Sequence, residues 1–187
     1  MGSLTEVQHS LVIGSLLGDG YMHCKTHAYL KISHSIKQRV YVDWKYELLS
    51  GFVRTKPKQY FGNGNRIGYR FCTRSLPLLT PYFFLFYGKN NKKSIPKNLI
   101  LTPFSLAVWF MDDGSRNRKS IYLNTQQFTI EEQHFLLQLL RKQFGLLGNL
   151  NRDKQYWRIR LFQPSAQVFK KLVSPYIPDF MRYKLPL

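Results

Sequence analysis

Leu11 to Gly20 reads LVIGSLLGDG, and Leu106 to Gly114 reads LAVWFMDDG. Each is an apolar run that closes on Asp-Gly, and the two acids, Asp19 and Asp113, lie about half a chain length apart. A single Asp-Gly carries little information, because it is among the commonest turn dipeptides. Two at matching places in a repeat deliver two carboxylates from two equivalent helices, which is what a paired-metal phosphodiester site needs. A second element repeats with them. Lys93-Ser94-Ile95-Pro96 and Lys184-Leu185-Pro186 place a lysine and a following proline at nearly the same offset beyond each aspartate.

Working outward, Thr5 and Gln8 form a capping box for a helix that stops near Gly18. Tyr21 to Cys24 and Tyr29 to Ser33 pattern as a hairpin turning at Lys25-Thr26-His27. Val40, Trp44, Leu48 and Leu49 recur at helical spacing as far as Gly51. Arg54 to Phe61 and Arg66 to Arg74 flank Gly62-Asn63-Gly64-Asn65, a second hairpin signal, and an aromatic helix follows around Leu78 to Tyr87. The second half repeats the order. Thr102-Pro103 caps the helix that ends at Asp113, and Ser120 to Thr125 patterns as a strand. Thr129 to Glu132 opens a helix closed by Gly145. Strands around Leu147 to Arg152 and Tyr156 to Phe162 precede a last helix around Ala166 to Val173. The expected fold is α+β, two pseudo-symmetric αββαββα halves over 1–101 and 102–187 sharing one core, joined by the basic segment Gly88 to Leu99. The first hairpin of the second half shows only one clear strand.

With 28 Lys and Arg against 10 Asp and Glu, the net charge is +18. On a chain that is 44% hydrophobic and 16% aromatic, that excess marks a folded domain with a polyanion partner rather than a disordered basic tail. Nucleic acid is the first candidate and an anionic membrane surface the second. A membrane fits poorly, because no apolar run reaches the roughly 20 residues that span a bilayer. The basic residues also do not gather on one amphipathic helix. No signal or transit pattern is visible at the N-terminus. Cys24 and Cys72 have neither metal-ligand spacing nor a disulfide framework, and read as strand residues in a reducing compartment.

Each aspartate falls at or just past a helix C-terminus, where the macrodipole disfavours an anion by a few tenths to about 1 kcal/mol. A bound cation removes that penalty. Hard oxygen ligands suit Mg²⁺, which keeps several waters and accepts phosphate oxygens. Two such acids support in-line attack of water on a DNA phosphate, with a lysine to stabilise charge or assist the water. Gly14 and Gly18 read as small residues for close helix packing. His9, His23, His27, His34 and His134 present no ligand set. Phe83, Phe84, Phe86 and Phe135 read as core.

Both helix ends resemble the motif of the LAGLIDADG homing endonucleases, with Asp19 and Asp113 on its penultimate acid and Gly20 and Gly114 on its final glycine. The likeness to the single-chain, two-motif branch extends over Asn90 to Pro96, Leu101-Thr102-Pro103, Trp109 to Gly114, Leu123 to Gln126 and Tyr183 to Pro186, nearly the whole chain. It implies a monomer whose two motif helices pack together and whose antiparallel sheets form a saddle over the major groove of double-stranded DNA. It further implies Mg²⁺-dependent double-strand cleavage with short 3′ overhangs. Two or more divalent ions would take part, with Mn²⁺ as a substitute and Ca²⁺ non-catalytic. By motif match, Asp19 and Asp113 are the metal-binding catalytic acids, joined by the backbone carbonyls of Gly18 and Asp112. Lys93 and Lys184 are the basic residues beside the attacking waters. Val108, Trp109 and Asp112 depart from the consensus, and Asp112 reads as a cap or supporting group rather than a side-chain ligand.

The strands supply the reading surface. Period-2 alternation puts Arg54, Lys56 and Lys58 on one face and Arg66, Arg70 and Arg74 on another strand's face. Arg152 and Lys154, then Arg158 and Arg160, do the same in the second half, and Lys25, Lys31 and Arg116 join the DNA-binding set. A two-stranded ribbon fits the major groove, although contact with phosphate or solvent outweighs base reading for any one of these residues. Two alternatives stay open: an intron RNA maturase on the same scaffold, and a DNA-binding protein that no longer cuts. The expected location is an organellar matrix, mitochondrial for example, or a bacterial cytoplasm.

Overall fold

The same series of elements occurs twice. In a computed structural model that describes residues 3–88, 91–117 and 119–186, the first series is α1 (Glu6–Leu17), β1 (Tyr21–Cys24), β2 (Ala28–Ser35), α2 (Arg39–Leu49), β3 (Lys58–Phe61), β4 (Ile67–Cys72) and α3 (Thr80–Tyr87). The second is α4 (Pro103–Asp113), β5 (Gly114–Asn117), β6 (Ser120–Leu123), α5 (Ile130–Phe144), β7 (Gly148–Asp153), β8 (Tyr156–Leu161) and α6 (Gln163–Val173). Both are αββαββα, and each builds one antiparallel four-stranded sheet, ordered β1-β2-β4-β3 and β5-β6-β8-β7. The fold expected from the sequence is the fold observed. The strand hidden in the second half is β5, whose sequence Gly-Ser-Arg-Asn has no apolar alternation.

Three capping boxes start helices where the sequence places them. Thr5, Thr102 and Thr129 accept the backbone N–H of Gln8, Ser105 and Glu132, and those side chains accept from the cap backbone in return. Such a box satisfies two donors that a helix start leaves open, and losing the cap costs about 1 kcal/mol. Glu132 does a second task, because its Oε1 also accepts the Ile95 N–H at 2.7 Å. Further along α5, Gln143 accepts from Leu101 N at 3.0 Å and donates to Leu99 O at 3.5 Å. This strap explains why the chain divides into Met1–Lys92 and Lys93–Leu187, earlier than the expected break after residue 101. Lys89 and Asn90, within the expected connector, lie outside the described residues.

In the first unit, β2 alternates strictly. Ala28, Leu30, Ile32 and His34 are buried against the helices, while Tyr29, Lys31, Ser33 and Ser35 point the other way. Tyr87 of α3 accepts the Met22 N–H at 3.0 Å, and burial pushes its phenol up to about 12, so it stays neutral in that role. The helix faces differ from the sequence expectation. On α2 the buried positions are Tyr41, Val42, Lys45 and Leu49, whereas Val40 is 58% exposed. A lysine thus occupies a core position that hydrophobicity alone assigns elsewhere. On α3, Phe83 and Phe86 are core, but Phe84 is 62% exposed. In the second unit, Ile121, Leu123, Ile159 and Leu161 form the buried sheet face. Among the described residues no helix is long and apolar enough to cross a membrane.

Candidate active site and nucleic-acid interface

The first motif ends in a tight turn. Helix α1 closes at Leu17, and the Gly18 N–H reaches back to the carbonyls of Gly14 and Ser15, both at 3.2 Å. The Gly20 N–H then bonds the Ser15 carbonyl at 2.7 Å. A Cβ at residue 20 would lie 2.6 Å from that same oxygen, so the motif's last position excludes any side chain. Asp19 stands on this turn with its side chain 46% exposed, and its Oδ2 lies 3.4 Å from Nδ1 of His34. The His34 side chain is only 2% exposed. Its ring meets Tyr41 at 5.2 Å, and the Lys45 ammonium sits 4.7 Å from the Tyr41 ring centre. Lys45 in turn donates to Ser15 Oγ at 3.1 Å, which closes the circuit on α1. His34 was not singled out in the sequence. Its signal was there in one respect: a polar residue in the buried phase of Ala28-Leu30-Ile32-His34.

The second motif is built differently. Helix α4 continues through Asp113 and passes straight into β5 at Gly114, where a Cβ would collide with the Phe110 ring and carbonyl. Asp113 Oδ2 lies 3.5 Å from Nε2 of Gln127. Lys184, on the 3-10 turn Asp179–Lys184, donates to the carbonyls of Met111 at 2.5 Å and Asp112 at 3.3 Å. Arg116 fixes that segment by donating to the Leu185 carbonyl at 2.8 Å. An ammonium on the last carbonyls of α4 is favourable at the negative end of the helix dipole and offsets the neighbouring aspartate. Lys184 therefore stands at the end of α4, on the two carbonyls that precede Asp113. Lys93 is half-buried on the strap along α5, and Asp112 is buried, its carbonyl engaged by Lys184.

The basic residues separate by face. In the first sheet Lys58 pairs with Arg70, which pairs with Ser33, so these share the polar face with Lys31. Arg54 and Lys56 precede β3 rather than lying on it, and Arg66 and Arg74 flank β4. Their convergence survives this correction, because Arg54, Lys56, Arg70 and Arg74 line one open cavity of about 740 Å³ with Lys31 and Lys58. Arg66 instead lines a hollow that contains Asp19 and His34. Lys25 lies in the turn between β1 and β2. In the second sheet Arg158 and Arg160 share the polar face with Asn149 and Asn151. Arg152 pairs with Trp157 and Arg116 with Ile121, which places both on the opposite face, and Arg152 donates to the Lys154 carbonyl at 3.0 Å. Lys154 occupies the β7–β8 turn at φ 57°. The alternation drawn through Arg152 and Lys154 ignored the register set by that two-residue turn.

Known proteins share this architecture. Residues 9–169 match the model of the LAGLIDADG DNA endonuclease family. Over 98% of its length the chain is 29% identical to probable intron-encoded endonuclease 1 of Wickerhamomyces canadensis, of which it covers 85%. It is 30% identical to cytochrome b mRNA maturase bI2 of Saccharomyces cerevisiae over 94% of its length, covering 46% of that protein. The structure of the homing endonuclease I-WcaI bound to its DNA recognition sequence matches with a TM-score of 0.92 and 30% identity, over 99% of this chain and 88% of that one.

Proposed function

The chain belongs to the LAGLIDADG DNA endonuclease family, and we propose that it is a site-specific homing endonuclease that acts as a monomer. In this reading it hydrolyses both strands of a long DNA target, requires Mg²⁺ and leaves short 3′ overhangs. The observation that carries it is the repeat of an acid at the end of each motif helix, with Lys184 seated on the last carbonyls of α4.

Asp19 and Asp113 offer hard carboxylate oxygens of the kind Mg²⁺ takes, and Asp19 is exposed enough to present one. Divalent ions held by these carboxylates would neutralise phosphate charge and supply a water activated for attack. The chain's own groups do the rest. His34 and Gln127 orient the two carboxylates. The Lys184 ammonium, held by two carbonyls, meets charge that builds on the phosphate, and Lys93 does so for the other strand. The polar faces carrying Arg70 and Arg158 hold the duplex.

Incubation with a randomised duplex library, with Mg²⁺ or Ca²⁺, followed by sequencing of new ends tests this directly. A defined site cut only with Mg²⁺ is the expected result; a library left uncut overturns the proposal. The likeness to a cytochrome b mRNA maturase favours a second reading, binding of intron RNA on the same basic faces. Stimulated splicing of the host intron without DNA cleavage would establish it instead.

A further inference from the structure

Arg70 and Arg158 occupy one register position in two sheets. Tyr21, which follows the motif glycine Gly20, pairs with Lys31, and Lys31 pairs with Cys72. Ser115, which follows Gly114, pairs with Tyr122, and Tyr122 pairs with Arg160. Two residues before Cys72 and Arg160 stand Arg70 and Arg158, each on the polar face.

Both guanidinium groups lie on a tyrosine ring, Arg70 at 4.3 Å from the centre of Tyr60 and Arg158 at 4.4 Å from that of Tyr122. The supports are made from different parts. Tyr60 comes from β3; its hydroxyl shares a 2.8 Å hydrogen bond with Ser33 Oγ. Its ring lies across Gly68, where any Cβ would collide with it. Tyr122 comes from β6, and Arg158 is further pinned by Asn124 Oδ1 at 3.3 Å and Asp153 Oδ2 at 3.8 Å. Asp153 stands at the register position that Tyr60 has in the first sheet, since Tyr60 pairs with Gly68 and Asp153 with Tyr156. Two unrelated supports thus fix the same arginine. Contact with a phosphate asks only for positive charge, which Lys31 and Lys58 supply on the same face. A guanidinium with its plane already set is what bidentate contact with guanine O6 and N7 asks for, and less side-chain freedom is lost when it binds.

The geometry points to Arg70 and Arg158 as the specificity-determining residues that each read one guanine, at equivalent positions in the two halves of the DNA target. This rests on the DNA-binding part of the function proposed above. The test is selection of bound duplexes from a randomised library in Ca²⁺, where cutting is not needed, by the full chain and its R70K, R158K and K58A variants. R70K keeps the charge and loses the planar fork. It should erase a guanine preference of about ten- to hundredfold at one position, and R158K should erase one at a different position. The salt dependence of binding should stay near that of the unaltered chain for both. K58A should keep every base preference and lower the salt slope by about one. An R70K variant that loses no positional preference, or weakens all sequences evenly, overturns the assignment. An unaltered chain that enriches no sequence overturns both this inference and the proposed function. One that enriches a site, shows the R70K loss and yet never cuts with Mg²⁺ sustains the readers and sinks only the nuclease.

Discussion

The two motif ends place the same acid by opposite means. In the first, α1 stops at Leu17, the turn is closed by glycines, and Asp19 stands past the helix end beside a buried histidine. In the second, α4 runs through Asp113, and a lysine from the chain's last turn covers the final carbonyls while a glutamine faces the carboxylate. Five residues before the motif glycine the contrast recurs. Ser15 takes a hydrogen bond from the buried Lys45, while Trp109 fills the equivalent place with a fully buried indole. Sequence divergence within a repeat has therefore kept the acid and the glycine and replaced what surrounds them. On the proposed function, the carboxylate and the close approach are what the chemistry would require; the neighbours are alternative solutions to holding them.

The strongest test of that equivalence removes the acids. Asp19→Asn and Asp113→Asn should each lower double-strand cleavage by at least about a hundredfold, because a carboxylate ligand outweighs the supporting groups whose loss costs about 10–100-fold. Binding to the target in Ca²⁺ should be nearly unchanged. A variant that still linearises target DNA at the normal rate would show that its acid is structural and the repeat only apparent.

The next effect concerns the neighbours. His34→Ala and Gln127→Ala should each slow one strand by about tenfold, by misplacing one carboxylate. On supercoiled target plasmid both should accumulate nicked circles, with opposite strands left intact. His34→Gln, which imports the second half's solution into the first, should restore much of the rate. Slowing of the same strand by both alanine variants would mean that the two halves do not act separately.

What the sequence disclosed follows from how local each signal is. The helix caps at Thr5, Thr102 and Thr129, the Gly145 stop and the three-residue turn at Lys25 to His27 all depend on near neighbours, and all stand where they were read. The two Asp-Gly helix ends were legible because repetition filtered them from ordinary turns. Strand ends and faces were not. Arg54 and Lys56 alternate correctly yet precede β3, and Arg152 points away from Arg158 because register is set across strands, not along one. Lys45 and His34 were missed for a related reason. Polarity assigns each to the surface, although His34 keeps the buried phase of β2, and tertiary contacts show what each meets there.

That last pair gives the smallest of these effects and the finest probe of the comparison. Ser15→Ala takes a hydroxyl from the Lys45 ammonium and should cost about 1–3 kcal/mol, the price of under-serving a buried donor. Lys45→Met keeps most of the length of the side chain and removes its charge. With methionine at 45, the serine hydroxyl has no ammonium to serve, so Ser15→Ala should then cost far less. Denaturant unfolding of the four proteins measures that coupling. In the second half, where Trp109 stands at the Ser15 position, no such charge is needed to brace the helix. Additive costs in the cycle would mean that Lys45 braces α1 through contacts other than the Ser15 hydroxyl.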